Sequence, residues 1–133
     1  MGLMQRNKGK AFERKVASII RAKFPGVTVR RSSQAERAYQ SDVFCVGHPV
    51  LERLWMELCD AHKPNPSKKM KQAVRDIDVS SLERTPVVVW HRIHEREVWA
   101  TLKLSDLPPM QQSDAVWPET LVTMRLADFL DLV

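Results

Sequence analysis

Helical and strand patterns follow one another along this chain in an order that limits its architecture. Apolar residues recur at helical spacing from Asn7, a candidate N-cap, to about Lys23. The strands that we predict are residues 27–31, 42–46, one within 51–59, 86–91, 98–104 and 121–126, and the further helices are residues 67–76 and 127–132. This order predicts the α/β class, with a mixed central β-sheet flanked by helices.

The length of 133 residues suits a single domain, and a composition of 44% hydrophobic and 28% charged residues is that of a folded globular protein. The longest strongly apolar run, Val87 to Trp90, is far too short to span a membrane, and the N-terminus lacks the apolar core of a signal peptide. Two cysteines are too few for a disulfide scaffold. We therefore expect an intracellular, cytoplasmic protein.

Basic residues are concentrated at the start of the chain. Residues 1–31 contain nine Lys and Arg against the single acid Glu13, a net charge of +8, whereas the remaining 102 residues carry a net charge of −3. Such asymmetry is typical of a surface that binds a polyanion, so nucleic acid is the expected partner. A merely solubilising helix surface is the alternative, and charge alone does not separate DNA from RNA or anionic lipid.

Two carboxylates fall where a predicted hairpin would bring them together. Asp42 begins one predicted strand. Glu57 lies in the middle of the next, in a segment whose apolar neighbours predict that it is buried. Strand alternation puts Trp55, Glu57 and Cys59 on one face, where Glu57 and Asp42 can meet across adjacent strands. Clustered carboxylates repel one another and are usually tolerated when a cation sits between them. A strand cap for Asp42 and an ion-pair role for Glu57 are the structural alternatives.

Four short segments follow one another along the first half of the chain: residues 8–14 (KGKAFER), 29–33 (VRRSS), 41–43 (SDV) and 55–59 (WMELC). The series resembles the PD-(D/E)XK nuclease superfamily, and within it the archaeal-type Holliday junction resolvases and similar phage nucleases. The resemblance extends over about residues 7–105 and leaves 106–133 outside as a C-terminal extension. It implies a restriction-endonuclease-like core and a Mg²⁺-dependent endodeoxyribonuclease, with Mn²⁺ able to substitute, acting in DNA recombination as a homodimer on four-way junctions.

Carried over residue by residue, the resemblance implies a role for each matching position. Asp42 is the central metal ligand, Glu57 is the acid of the ExK motif, the backbone carbonyl of Leu58 completes the metal shell and Glu13 is the helix-borne acid that assists it. Ser32 and Ser33 resemble the serine that contacts the scissile strand, and Gln72 a polar residue directed at the site from the next helix. The basic residues expected to contact DNA are Lys8, Lys10, Arg14, Arg30 and Arg31.

The sequence departs from the motif at its last position, where Cys59 stands in place of the lysine. A thiol does not supply the persistent positive charge of an ammonium group. We expect the lysine to be relocated to Lys63 or to one of Lys68, Lys69 and Lys71 on the next helix, with Lys68 or Lys71 favoured. The alternatives are a catalytically silent DNA-binding module on the same fold, or a nuclease that cuts plain duplex DNA.

A zinc site is a competing interpretation. Cys45, His48, Cys59 and His62 contain one C-x2-H spacing. Both cysteines, however, lie within strand patterns, where free cysteines are most often small core residues. A Cys59–His62 nucleophile pair is also conceivable, but no oxyanion-binding feature accompanies it.

Overall fold

The computed structural model describes the backbone of residues 3–32, 40–111 and 119–133, and the side chains of these ranges from residue 9 onward. None of the helices in this part of the chain has the length and apolar character needed to cross a membrane. The elements, in chain order, are α1 (Leu3–Lys23), β1 (Thr28–Arg31), β2 (Val43–Val46), β3 (Leu54–Ala61), α2 (Pro66–Ser80), β4 (Thr85–Arg92), β5 (Trp99–Lys103), β6 (Leu121–Arg125) and α3 (Leu126–Leu130), with short 3-10 turns at Leu51–Arg53 and Leu104–Asp106.

The six described strands form one mixed sheet in the order β1-β2-β3-β4-β5-β6. Every neighbouring pair is antiparallel except β3 and β4, which run parallel because α2 connects them as a crossover. The mixed α/β architecture expected from the sequence is therefore confirmed, including the antiparallel β2–β3 pair and the β4–β5 hairpin.

The two faces of the sheet pack against different helices. On one face, α1 and α3 contribute to the main hydrophobic core, together with Leu54 and Met56 of β3. On the other face, α2 packs over Trp55 and Cys59. The alternation of β3 is confirmed by this division, and Glu57 therefore lies on the face that α2 covers.

Two helix starts differ from the sequence predictions. α1 begins at Leu3, about one turn before the predicted cap Asn7. The predicted cap Ser67 of α2 is wrong, since Asn65 caps this helix through its side-chain Oδ1, which accepts a hydrogen bond from the Lys68 backbone N–H at 3.1 Å. Pro66 follows as the first helical residue, where its missing N–H has no cost.

The C-terminal residues complete the sheet and core and do not form an appendage. β6 pairs with β5 along its whole length, from Trp99 opposite Arg125 to Lys103 opposite Leu121. Phe129 and Leu130 of α3 are almost fully buried in the main core, beside α1. The described part of residues 106–133 is therefore structurally continuous with the segment that carries the motifs.

Candidate active site

Asp42 and Glu57 face each other on adjacent strands. Val43 of β2 pairs with Met56 of β3, and in an antiparallel register the preceding residue Asp42 therefore lies opposite Glu57. Asp42 is held against β3, because its Oδ2 accepts a hydrogen bond from the Leu58 backbone N–H at 3.0 Å. Glu57 is only 8% exposed. The hairpin thus brings together the two carboxylates in the way that the sequence predicted.

The environment of Glu57 opposes its ionisation. Burial, and then the charge of Asp42, raise the pKa of this carboxyl from its ordinary value of 4.5 to about 7. The Trp55 indole partly offsets this effect by donating a hydrogen bond from Nε1 to Glu57 Oε2 at 3.3 Å. A carboxyl of this kind is partly protonated at neutral pH, and a cation bound beside it would favour the charged form.

Lys69 of α2 is the lysine whose charge acts on the Glu57 carboxyl. Its ammonium group lowers the pKa of Glu57 and also that of Cys59, in each case against the effect of burial. Lys63, Lys68 and Lys71, which the sequence analysis put forward, are exposed and have no corresponding effect on Glu57. The structure therefore singles out the one α2 lysine that the sequence reasoning mentioned but did not favour.

Helix phase explains why Lys69 faces the site. The buried residues of α2 are Met70, Ala73 and Ile77, and Lys69 precedes Ala73 by four positions, so it lies on the flank of the buried stripe that faces Glu57. Asp76 lies on the same flank and raises the pKa of Glu57. Helix phase puts Lys69 on one flank of the buried stripe, but which flank faces Glu57 depends on how α2 packs on the sheet, so the sequence alone did not separate Lys69 from its neighbours.

Cys59 does not replace the missing ammonium group. Its thiol is buried against Met70 and Trp90, and burial raises its pKa despite the opposing charge of Lys69. The thiol is therefore neutral at physiological pH. Cys59 is a packing residue of the cluster under α2.

The end of β1 brings Ser32 beside Asp42. The Ser32 backbone N–H donates a hydrogen bond to the Asp42 carbonyl at 3.1 Å, which continues the β1–β2 ladder by one residue. The Ser32 hydroxyl is buried and has no hydrogen-bond partner in the described part of the chain. A buried hydroxyl without a partner is uncommon and is available to donate to a ligand. Ser33 lies outside the described residues.

Glu13 faces the adjacent end of β1. Its side chain is 16% exposed and forms an ion pair with Arg31, with 3.6 Å between Glu13 Oε2 and Arg31 Nη1. Arg31 is the last residue of β1, next to Ser32. The structure therefore brings Glu13 to the strand end that borders the acid pair, and it gives Arg31 a carboxylate partner that competes with a role in DNA contact.

Only part of the basic surface expected from the sequence is free. Lys10, Arg14 and Arg30 are exposed and, within the described ranges, form no ion pair. Other basic residues of α1 have structural partners: Lys15 donates to the Arg96 carbonyl, Arg21 donates to the Val29 carbonyl, and Lys23 pairs with Asp131. The side chain of Lys8 lies outside the described residues.

Two further sequence interpretations do not match the geometry. Gln72 is exposed on the solvent side of α2, away from the buried stripe that contacts β3. Cys45 belongs to the main core and Cys59 to the cluster under α2, so the sheet itself separates the two thiols of the proposed zinc site. Among the described residues, no group of three or more His, Cys, Asp or Glu side chains is arranged to hold a metal ion.

Comparison of the chain with protein-family models, with curated proteins and with solved structures gave no match.

Proposed function

We propose that this protein is a metal-dependent, structure-specific DNA endonuclease of the PD-(D/E)XK type that hydrolyses phosphodiester bonds in branched DNA, as a Holliday junction resolvase does. The observation that carries the proposal is the facing pair of Asp42 and Glu57, with the lysine Lys69 acting on the same buried carboxyl. A buried carboxyl held beside a second carboxylate and a cation is costly to maintain for stability alone and is common at catalytic centres.

The order of the elements around the pair supports the same assignment. Glu13 lies on the first helix, Asp42 immediately precedes the second strand, and Glu57 lies in the middle of the third. A crossover helix and a parallel strand follow Glu57 directly. This is the order in which the resemblance expects the functional elements to occur.

The donor set of the site fits Mg²⁺. Carboxylate oxygens are the ligands that this ion prefers, and it usually retains several waters and binds substrate phosphate, so two protein carboxylates are enough. The partly buried carboxyl of Asp42 and the buried carboxyl of Glu57 supply these ligands, and the unpartnered hydroxyl of Ser32 lies beside Asp42. When bound, the ion would lower the pKa of a coordinated water and stabilise the charge that develops on the scissile phosphate.

The chain's own residues have separable roles in this proposal. The Leu58 N–H of β3 holds one carboxylate oxygen of Asp42, which fixes the orientation of the carboxylate and leaves its other oxygen to bind the metal. Lys69 keeps Glu57 more readily ionised and supplies the positive charge that Cys59 lacks, which stabilises the attacking oxygen and the phosphate. Ser32 donates its hydroxyl hydrogen to a phosphate oxygen and thereby orients the strand to be cut.

The exposed cations on α1 and β1 hold the DNA. Lys10, Arg14 and Arg30 neutralise backbone phosphates, which gives affinity and orientation without sequence readout. A four-way junction offers two symmetric strands, and a homodimer with two-fold symmetry presents two active sites to them. Arg31 joins this surface when phosphate replaces Glu13 as its partner.

Cleavage of labelled DNA tests the proposal. A four-way junction and the matched linear duplex are incubated with Mg²⁺, Mn²⁺ or EDTA, using the wild type, Asp42→Asn, and the control Asp78→Asn, which changes an exposed carboxylate on the far side of α2. We expect symmetric, metal-dependent junction cleavage that Asp42→Asn abolishes and Asp78→Asn preserves. Junction binding without cleavage in either metal would identify a catalytically silent binding module. Equal cleavage of the linear duplex would contradict the proposed preference for branched DNA.

A further inference from the structure

The face of the sheet that α2 covers is only partly occupied by that helix. α2 packs on β3 and β4, through Met70 against Trp90 and through Ala73 and Ile77 against Trp55. The neighbouring strands continue the same face beyond the helix, and no other α-helix of the described chain lies on this side. We call the continuation the β5–β6 face; its side chains are Trp99, Thr101, Lys103, Leu121, Thr123 and Arg125.

Aromatic and cationic side chains form one row across this face. Trp99 is half-buried and stacks on Trp90, with 6.1 Å between ring centroids and 27° between ring planes. The guanidinium group of Arg92 lies over the Trp90 ring, 5.7 Å from its centroid. On the other side, Arg125 of β6 is the direct register partner of Trp99 and is exposed. Trp99 is thus a partly exposed aromatic side chain between Arg125 and the Trp90 ring that Arg92 covers.

The underside of the row is rigid. Trp90 donates a hydrogen bond from Nε1 to Thr101 Oγ1 at 2.9 Å, and Thr101 is linked to Thr123 by a 2.7 Å hydroxyl–hydroxyl hydrogen bond. Thr101 is buried, so this chain of hydrogen bonds ties three adjacent strands together below the aromatic rings. The Trp90 ring on which Trp99 stacks is therefore held in place by hydrogen bonds within the protein.

We further propose that the β5–β6 face binds an unpaired stretch of a DNA strand, with a base stacked on Trp99 and flanking phosphates at Arg92 and Arg125. The inference rests on the proposed function, because it names the part of a branched substrate that this face receives. A preformed aromatic surface bordered by arginines is the arrangement by which proteins bind single strands, since every base has a face that stacks.

Within the sheet, the row lies beside the candidate active site, and α2 covers the strands between them. Cys59 of β3 is the register partner of Trp90, and Trp90 is the partner of Trp99. Neighbouring strands lie about 4.8 Å apart, so the Trp99 position is roughly 10 Å along the row from Cys59, two residues beyond Glu57.

Acidic neighbours do not remove the charge complementarity. Arg125 is bonded to Asp128, with 2.8 Å between Nε and Oδ2, and Glu97 also acts on it. This is an exposed pair between residues three positions apart, a kind that contributes little stability. Phosphate can therefore replace Asp128 at small cost, whereas Arg92 has no carboxylate partner among the described residues.

Binding measurements on the full chain separate this role from catalysis. Fluorescence anisotropy is measured in EDTA with a labelled oligo(dT) strand of about 20 nucleotides and with the matched duplex, for wild type, Trp99→Leu and Trp99→Phe. Leucine retains apolar packing on Trp90 and phenylalanine also retains an aromatic face. Val79→Ala is the control, since it shortens an exposed apolar side chain elsewhere on the surface.

We expect Trp99→Leu to weaken oligo(dT) binding at least about fivefold, with Trp99→Phe and Val79→Ala close to wild type and duplex binding unchanged in all four proteins. Equal oligo(dT) affinity for the leucine and phenylalanine variants would overturn the proposal, as would a wild-type dimer that Trp99→Leu converts to monomers without affecting DNA binding. Failure of the proposed nuclease function would be seen differently, as absent cleavage while this binding series is intact.

Discussion

Replacing Glu57 by glutamine should make the protein more stable, and increasingly so as the pH rises. The substitution keeps the size of the side chain and an oxygen that accepts the Trp55 hydrogen bond, but it removes the charge that burial and Asp42 oppose. Because the carboxyl titrates at about 7 in the folded protein and at 4.5 ordinarily, the folded state binds its proton more tightly than the unfolded state.

The sign and size of the effect follow from this difference. Below the ordinary value of 4.5 the carboxyl is protonated in both states, and ionisation costs the folded protein nothing. As the pH rises from 4.5 towards 7, the unfolded chain loses its proton first, so the free energy of unfolding of the wild type falls. The full difference corresponds to about 3 kcal/mol, of which about 2 kcal/mol develops between pH 5 and pH 8.

Urea denaturation of the wild type, Glu57→Gln and Glu83→Gln at these two pH values, without divalent metal, measures the effect. Glu83 is exposed, so its replacement should change stability by less than about 0.5 kcal/mol at either pH. The stability gain of Glu57→Gln should grow by about 2 kcal/mol from pH 5 to pH 8. A gain that is the same at both values would refute the reasoning, because it would mean that folding does not perturb the Glu57 carboxyl.

Further consequences test the site and the fold. Lys69→Met should reduce single-turnover junction cleavage at least about 100-fold, and Lys68→Met should leave it nearly unchanged. The opposite order would assign the catalytic positive charge to Lys68. Asn65→Ala should lower the free energy of unfolding by about 1 kcal/mol in a urea titration through loss of the α2 cap, and no change would argue against that cap. Phe129→Ala should destabilise by about 3–5 kcal/mol and Leu132→Ala, at an exposed site, by much less; equal small effects in thermal unfolding would mean that α3 does not belong to the core.

Local patterns in the sequence were sufficient for the acid pair. Period-2 alternation over residues 54–59 determines which side chains share a face, and the turn before it makes the strands antiparallel neighbours. These two local rules bring Asp42 opposite Glu57 without any knowledge of the remaining chain. The helix–strand order was predictable for the same reason.

Two features depend on how the elements pack against each other, and only the tertiary structure decided them: the choice of lysine and the burial of the C-terminal segment. The sequence offers four candidate lysines with identical side chains: Lys63 before α2, and Lys68, Lys69 and Lys71 on it. Only the way in which α2 packs on the sheet turns Lys69 towards Glu57. In the same way, nothing local marks residues 121–130 as part of the core, because β6 and α3 are buried through pairing with β5 and contact with α1.

The sequence by itself determined the class of fold, the pair of carboxylates and the basic first helix, because each follows from the spacing of residues along one or two neighbouring segments. Only the tertiary structure decided the raised pKa of Glu57, the lysine that acts on it and the Trp90–Trp99 row. These three depend on burial and on distances between segments far apart in the chain, and local periodicity carries no information about either.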